Sequence, residues 1–420
     1  MKGRKRDPAW MLISVMMLFY FSAFLLISFQ KEEINLQGLL LAVAVPVMIY
    51  IGTMVLPRLF PADKLLLSLT NFLCALGVLL LYRIKPEYGL EQALHYGVGL
   101  ACMLVTIVLV HKIRSWRWIA FLLIFVSLGA LALPIVVGTT INGAKSWIKI
   151  GGQSLQPSEL AKLSLLIVLA YYMSRHRMLP WLFLSVSSLG ILMLQKDLGT
   201  ALLYYSTTLL MYYASSSNLS ITLLGLLGGG GAAVAGYYLF DHVRKRVAAW
   251  RNPWSDYAVS GFQIVQSLIA IASGGLLGVG LGLGSPRDIP EYTSDFIFAV
   301  LCEQFGVLFG LCVLLIYVIL LWRGVSIAMA SREGFHALLA MGCVVMLGVQ
   351  TFVIIGGVIK LIPITGVTLP FVSEGGTSLV SCLCLIGMLQ GVASRNEDLL
   401  KEDTRLARLG VSDAWEGGTP

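Results

Sequence analysis

The sequence predicts an all-α polytopic membrane protein with about twelve transmembrane helices and both termini in the cytoplasm. Of its 420 residues, 57% are hydrophobic and only 12% are charged, whereas soluble domains are about half apolar and about a quarter charged. The mean hydropathy is +0.84. The apolar residues also fall in runs long enough to cross a hydrocarbon layer of about 30 Å. Together these observations exclude a soluble globular fold.

Twelve apolar stretches are candidates for membrane spans, and they begin near residues 9, 36, 64, 90, 117, 159, 179, 198, 219, 295, 335 and 370. The stretches near 159, 179 and 198 have only about 16 residues, so we expect them to be tilted or partly enclosed by neighbours. The first stretch follows MKGRKRDP without a small-residue cleavage site. This favours a first transmembrane helix over a removable signal peptide.

Basic residues in alternate connecting loops set the predicted orientation. Most loop Lys and Arg residues lie in MKGRKR, PRLFPADK, HKIRSWR, SRHR and RGVSIAMASREG. Since basic loops stay in the cytoplasm, both termini are predicted to be cytoplasmic and a large loop at about 241–294 to lie outside. The net charge of +8 is therefore interpreted as an orientation signal, and no binding to nucleic acid is expected.

One apolar segment inside that loop could reverse the orientation of everything after it. Residues 262–284 are apolar enough to span, but six glycines lie between 274 and 284 and three polar residues lie near the start, namely Gln263, Gln266 and Ser267. A span there would also place two arginines of the next basic loop outside. We therefore expect an interfacial or re-entrant segment that packs against protein.

The segment KSWIKIGGQSLQPSELAK (145–162) leads into the sixth predicted span. Pro157 suits the first turn of a helix, so Glu159 and Lys162 fall three residues apart on one face, where they can pair. The pair is either a structural ion pair or a site for an anionic substrate, and the sequence leaves both interpretations open. Trp147 is expected to anchor the segment at the membrane interface.

Two further segments carry charges on the same predicted side. Asp197 in QKDLGTALL (195–203) begins a helix, where it can cap the helix or serve a site. Arg244, Lys245 and Arg246 follow the ninth span. Arginine guanidinium groups match phosphate oxygens, although attraction to anionic lipid explains this basic run nearly as well.

Carboxylates provide the candidate chemistry. Asp295 in IPEYTSDFIFAVLCEQFG (289–306) lies at a membrane edge, Glu303 lies two turns deeper, and Glu374 precedes the last span on the same side. A charge near hydrocarbon is costly and marks a functional candidate, and desolvation raises the pKa of a carboxylate towards that of a base useful near neutral pH. No metal-ligand spacing is present, but a pair of carboxylates could hold a divalent cation beside substrate phosphates.

From chemistry alone, two classes of membrane protein compete. The first is an enzyme that works at the outer leaflet on a lipid-borne, phosphate-bearing substrate. The second is a transporter, which usually places charges near the bilayer midplane on broken helices. Here the acidic groups collect at one membrane edge, which favours the enzyme.

Five segments, in this order, resemble the SEDS family (shape, elongation, division and sporulation; RodA/FtsW/SpoVE-like). They are WIKIGGQSLQPSELAK, QKDLGTALL, RKRVAAWRNPW with GFQIVQSLIAIASGGLLGVGLG, IPEYTSDFIFAVLCEQFG and GGVIKLIPITGVTLPFVSEGGTSL, and the match covers roughly residues 64–394. The family's usual core has ten spans. The resemblance therefore implies two additional N-terminal helices within residues 1–63, a core at 64–394 and a cytoplasmic tail at 395–420.

The resemblance implies a peptidoglycan glycosyltransferase that polymerises lipid II, a disaccharide-pentapeptide on undecaprenyl pyrophosphate, outside the bacterial cytoplasmic membrane. A class B penicillin-binding protein is the implied partner. The family's essential aspartate corresponds to Asp295, the implied general base for the 4-hydroxyl of the acceptor sugar. Arg244 and Arg246 correspond to residues that could stabilise the departing pyrophosphate, which a Mg or Mn ion would assist. A lipid II flippase and a non-enzymatic scaffold for a penicillin-binding protein are the alternatives.

Other matched positions imply further site residues. Besides the two arginines, the residues assigned to substrate binding are Glu159, Lys162, Gln263, Gln266 and Ser267. Supporting roles are assigned to Trp147, Asp197, Glu303 and Ser373. The chain departs from the family pattern at Lys196, where proline is usual, at Gln304, at Glu374 in place of an aromatic residue, and at Thr293–Ser294. These departures leave open how Glu303 and Glu374 share any metal or proton role.

Overall fold

The structure, a computed structural model, describes residues 8–30, 35–141, 144–151, 153–254 and 261–408. These ranges form fifteen α-helices, one small β-sheet and two short helical turns. The helices are α1 (Pro8–Ser28), α2 (Leu36–Tyr50), α3 (Leu56–Leu59), α4 (Lys64–Ile84), α5 (Pro86–Lys112), α6 (Arg117–Val137), α7 (Pro157–Met173), α8 (Met178–Leu194), α9 (Leu198–Ser216), α10 (Leu219–Leu239), α11 (Asp241–Arg251), α12 (Phe262–Gly274), α13 (Ile297–Met329), α14 (Gly334–Val358) and α15 (Gly376–Arg408).

Nine helical segments in these described ranges are long and apolar enough to cross a membrane. One of them runs from α2 through a π-helical turn (Ile51–Val55) into α3. The helices α7, α8 and α9 have 17, 17 and 19 residues, as expected for the three short stretches. The chain is therefore an all-α membrane protein, and the count of twelve crossings and the orientation of the termini stay predictions.

Local signals explain why the helices begin close to the expected positions. Asp63 Oδ1 accepts a hydrogen bond from Leu66 N at 2.9 Å before α4, which satisfies one of the free amides of the first turn. Pro86 and Pro157 occupy the first turns of α5 and α7, where no amide donor is needed. The last helix differs, because it begins at Gly376 and not near 370.

The helices α4, α14 and α15 form the interior, since most of their residues are buried, whereas α6 and α10 are mostly exposed. The α15 helix packs along α5 and continues past position 395 to Arg408 without a break. The basic N-terminal segment (1–7) and the end of the predicted tail (409–420) lie outside the described residues.

The two N-terminal helical segments pack on the core through buried polar contacts. Tyr20 in α1 donates to the carbonyl of Phe72 in α4 at 2.7 Å. In the π-helical turn, Thr53 accepts from Asn71 at 2.9 Å, and Asn71 accepts from Tyr96 at 2.6 Å. Polar groups inside an apolar bundle need such partners, so these bonds fix the N-terminal pair against α4 and α5.

The predicted re-entrant segment folds as the short helix α12 followed by a glycine loop (275–284). At 13 residues, α12 is about 20 Å long and too short to cross a bilayer. The glycine loop pairs with α13 where that helix is interrupted at Gly306, whose φ is +87°. Val279 N donates to Glu303 O at 2.9 Å, and Val307 N donates to Gly275 O at 2.9 Å. The glycine loop thus supplies hydrogen-bond partners for the backbone amide and carbonyl groups that lose their helical partners at the interruption.

Replacing Gly306 by alanine tests this pairing. A Cβ at Gly306 would meet the backbone of Leu276 and Gly278, and an L-residue in the left-handed region costs about 1–2 kcal/mol in addition. We expect the apparent melting temperature in detergent to fall by several degrees. The matched control is Gly231→Ala on α10, where a Cβ meets nothing within 4 Å, and the control should melt like the unsubstituted protein. Equal melting of both variants would contradict the account.

Candidate active site

A cavity of about 830 Å³ lies among the N-terminal ends of α7 and α9, helix α11, and the segments 291–295 and 365–377. A three-stranded antiparallel sheet forms another wall, with strands β1 (Thr139–Ile141), β2 (Ala144–Ile150) and β3 (Gln153–Leu155). Five residues singled out from the sequence line this cavity: Trp147, Glu159, Asp197, Arg246 and Asp295. They come from four separate stretches of the sequence, because Trp147 and Glu159 both belong to 145–162, and the fold brings these stretches together.

Asp295 lies in a turn just before α13, and a neighbouring loop holds that turn in place. Ser373 Oγ donates to the carbonyl of Ser294 at 2.6 Å and accepts from Leu369 N at 2.9 Å. One residue on, Glu374 N donates to the carbonyl of Thr293 at 2.8 Å. Ser373 is buried and does not line the cavity, so it supports Asp295 through the backbone.

The surroundings of Asp295 make it a stronger base than an ordinary carboxylate. Its pKa is raised to about 7, chiefly because burial disfavours the charged form and secondly because Glu291 lies nearby. The charge of Arg246 and a hydrogen bond from Ser294 oppose the rise in pKa. A carboxylate with a pKa near the ambient pH is ionised in about half of the molecules, and in that form it can accept a proton.

Arg246 faces Asp295 across a gap that Gly366 keeps open. The Arg246 guanidinium donates through NH1 to the carbonyl of Thr365 at 2.7 Å and to that of Ile364 at 3.4 Å. A Cβ at Gly366 would stand 3.6 Å from Arg246 NH2 and 3.7 Å from Asp295 Oδ2. Because Gly366 has a φ of +80° and no side chain, reacting atoms can approach both groups.

Glu159 and Lys162 form an ion pair. The sequence left open whether this pair has a structural role or binds an anionic substrate. Lys162 Nζ lies 2.5 Å from Glu159 Oε2, which also accepts from Ser381 Oγ at 2.6 Å. The Lys162 side chain is only 3% exposed and donates to Gln350 Oε1 at 3.4 Å. Gln350 in turn donates to the carbonyl of Thr368 at 2.9 Å. Glu159 therefore faces the cavity, while Lys162 holds α7 to α14, α15 and the cavity loop.

Asp197 and Trp147 also line the cavity. Asp197 Oδ1 accepts from Thr200 N at 3.1 Å and caps α9, while its other oxygen accepts from Gln156 at 3.2 Å. Burial raises the pKa of Asp197. Trp147 lies on β2, which is tied to the turn before α9 by a bond from Lys145 N to Gln195 O at 3.0 Å. Asp197 thus caps its helix and lines the cavity at once.

The family model described as "Cell cycle protein", for FtsW, RodA and SpoVE, matches residues 63–398. The chain belongs to this family. Among curated FtsW/RodA/SpoVE proteins, stage V sporulation protein E of Bacillus subtilis (strain 168) is 34% identical over 357 residues, which cover 79% of this chain and 96% of that protein. The peptidoglycan glycosyltransferase RodA of Mycobacterium tuberculosis (strain H37Rv) is 32% identical over 364 residues, which cover 79% of this chain and 78% of that protein.

Solved structures of the family have the same architecture. A chain of a peptidoglycan synthase complex that coordinates polymerisation and crosslinking superposes with a TM-score of 0.66 at 28% identity, covering 80% of this chain and 98% of that one. The rod shape determining protein RodA of Thermus thermophilus gives a TM-score of 0.59 at 28% identity and the same coverage.

Several residues assigned by resemblance to the FtsW/RodA/SpoVE family lie outside the cavity. Arg244 is exposed, pairs with Asp241 at 3.5 Å and donates to the carbonyl of Tyr238 at 3.3 Å. Glu303 is buried behind the cavity, where Oε1 accepts from Ser285 N at 2.9 Å. The remaining three, on α12, are Gln263, Gln266 and Ser267, of which Ser267 is fully buried.

Other cavity residues were not assigned from the sequence. Lys196 and Glu374 line the cavity and depart from the family pattern. Glu374 was a candidate for a metal or proton role that the sequence left open, and Lys196 received no role. His242, Glu91 and Glu291 also line the cavity. No motif marked these three, because their place in the cavity depends on how separate helices and loops meet.

The acidic residues around Asp295 do not form a ready metal site. The pKa of Glu374 is raised by burial first and then by the charges of Glu91 and Glu291. Within the described ranges, however, no group of three or more His, Cys, Asp or Glu side chains is arranged to hold a metal ion. These residues alone therefore do not fit a resident Mg or Mn ion.

Breaking the buried ion pair tests the role assigned to Lys162. Lys162→Met leaves the Glu159 carboxylate without its partner, and losing one member of a buried pair costs about 3–5 kcal/mol. We expect a large fall in the free energy of unfolding, measured by denaturant titration in detergent. Glu159→Gln combined with Lys162→Met removes both charges and should regain most of the loss. Equal losses in the single and double variants would contradict the pairing.

Proposed function

We propose that the chain is a peptidoglycan glycosyltransferase that polymerises lipid II into β-1,4 glycan strands. The observation that carries the proposal is the Asp295 carboxylate, whose pKa is raised to about 7 and which faces Arg246 across the gap at Gly366. The names of the FtsW and RodA relatives support the same activity. A cavity of about 830 Å³ is also within the usual size of a site for a small organic ligand, about 300–1,000 Å³.

In the proposed reaction, Asp295 takes the proton from the 4-hydroxyl of the acceptor GlcNAc. The hydroxyl oxygen attacks the anomeric carbon of the donor, and the bond from that carbon to the phosphate oxygen breaks. The electron pair leaves with undecaprenyl pyrophosphate, whose negative charge Arg246 stabilises across the gap. One displacement converts the α-linked donor into a β-linked product, so no covalent enzyme intermediate is needed.

The proposed setting is the outer face of the bacterial cytoplasmic membrane. The distribution of basic loops predicts that the cavity faces outwards, where a lipid-borne substrate can enter from the membrane. A class B penicillin-binding protein is the proposed partner, and the likeness to a chain of a peptidoglycan synthase complex supports it. A Mg or Mn ion, if used, would enter the site together with the pyrophosphate of the substrate.

Purified protein supplied with lipid II tests this function, with Asp295→Asn as the variant. We expect glycan polymer from the unsubstituted protein and a loss of about a hundredfold or more from the variant, since a general base contributes about 10²–10⁴ in rate. Polymer from both proteins would exclude Asp295 as the base. Movement of lipid II across vesicles that is insensitive to the substitution would favour a flippase, and no polymer even with the partner present would favour a scaffold.

Thermal melting of Asp295→Asn serves as a control, because it distinguishes loss of the base from loss of folding. The pKa of Asp295 is raised in the folded state, so ionisation destabilises the fold as the pH rises from about 4 towards about 7. Asn carries no charge, so Asp295→Asn should melt higher than the unsubstituted protein at pH 8 and close to it at low pH. A variant that is inactive and also melts lower at pH 8 would not count as support.

A further inference from the structure

A group of basic side chains gathers on one wall of the cavity, next to Arg246. His242 and Arg246 are four residues apart on α11, so they share one face of that helix, and both line the cavity. Lys196 reaches the same wall from the turn before α9 and is exposed to the cavity. Arg244 and Lys245, in contrast, are exposed and do not line it.

The backbone around Thr365 explains why these three side chains meet. Arg246 donates to the carbonyl of Thr365 at 2.7 Å, which fixes α11 on this loop. At Gly199, in the first turn of α9, a Cβ would stand 2.7 Å from the same carbonyl. The N-terminal end of α9 therefore lies against Thr365 too, which brings Lys196 close to α11.

Two polar atoms on this wall have no hydrogen-bond partner in the part of the chain that the structure describes. Nε2 of His242 and Oγ1 of Thr365 are buried, and neither has a hydrogen-bond partner among the described residues. Buried polar atoms without a partner are uncommon in native proteins and call for a physical reason. Both residues line the cavity, so a ligand in the cavity can supply the missing bonds.

We propose that Lys196, His242 and Thr365 complete, with Arg246, the site that holds the two phosphates of a polyprenyl diphosphate, and that His242 takes up a proton from solvent when this anion binds. The proposal rests on the proposed function, which it deepens by naming the residues that hold the leaving group. Four converging donors suit a diphosphate with several negative charges better than a phospholipid headgroup that carries one charge.

The protonation of His242 follows from the charges that face it. Burial lowers the pKa of His242 first, the charges of Arg246 and Lys196 lower it further, and Asp241 raises it. His242 is therefore neutral at pH 7 in the free protein. A bound diphosphate favours the charged imidazolium, so diphosphate affinity should increase as the pH falls.

Calorimetric titration of the full-length protein with farnesyl diphosphate tests this site without requiring turnover. Titrations at pH 7.5 in buffers of different ionisation enthalpy give the number of protons taken up. We expect uptake of up to about one proton in the unsubstituted protein and none in His242→Gln, because Gln can donate a hydrogen bond but does not titrate. His242→Gln and Lys196→Gln should each bind about tenfold more weakly, because each replaces a charged donor to the phosphates by a neutral donor whose hydrogen bond is weaker. Lys196→Gln should retain the proton uptake.

Three controls distinguish a diphosphate site from general attraction between basic side chains and anions. Lys245→Gln, on the same helix but outside the cavity, should bind like the unsubstituted protein. Phosphatidylglycerol micelles should neither compete nor cause proton uptake. Asp295→Asn should still bind farnesyl diphosphate. Loss of polymerisation in Asp295→Asn therefore tests the proposed base, whereas loss of diphosphate binding in His242→Gln and Lys196→Gln tests the diphosphate site. Unchanged binding in His242→Gln and Lys196→Gln would overturn the proposal, as would unchanged proton uptake in His242→Gln or equal binding of phosphatidylglycerol.

Discussion

The candidate site depends on one buried carboxylate, that of Asp295, which faces the guanidinium of Arg246. Burial of Asp295 favours its protonated form, while Arg246 favours the ionised form, and the balance places its pKa at about 7. Hydrogen bonds hold both residues in position. Ser373 fixes the Asp295 turn through the carbonyl of Ser294, and backbone carbonyls of the facing loop fix Arg246. The raised pKa of Asp295 therefore depends on the two loops that hold Asp295 and Arg246 in place.

Those loops depend on the membrane-embedded bundle. Lys162 and Gln350 connect α7 and α14 to the carbonyl of Thr368, in the loop that carries Gly366 and Ser373. On the other side, the glycine loop after α12 pairs with the interrupted turn of α13, the helix that begins directly after Asp295. The helical bundle can in this way position a carboxylate at its edge, because buried hydrogen bonds connect the loops to the helices.

Much of this arrangement could be predicted from the sequence, and the failures have physical causes. Runs of apolar residues, and the first-turn proline Pro157, located the helices, whereas the predicted start near 370 is wrong because a buried loop is as apolar as a helix. The cost of charge near hydrocarbon marked Asp295, whereas Glu159 was marked by its spacing from Lys162 and Asp197 by its place at the start of a helix. The side chains of α11 that face the cavity could not be predicted, because residues 241–251 were predicted to lie in a loop. A loop prediction does not say which residues share a helix face. Arg244 was therefore chosen together with Arg246, and His242, which shares the inner face with Arg246, was missed.

The central claim is that Asp295 ionises near neutral pH, and infrared difference spectroscopy tests it most directly. The C=O stretch of a protonated carboxyl group is followed as a function of pH in the unsubstituted protein and in Asp295→Asn. The account predicts a band that disappears with a midpoint near pH 7 and that is absent from the variant. A band from Asp295 that titrates in the ordinary range of an aspartate, or a spectrum that the substitution leaves unchanged near pH 7, would contradict it.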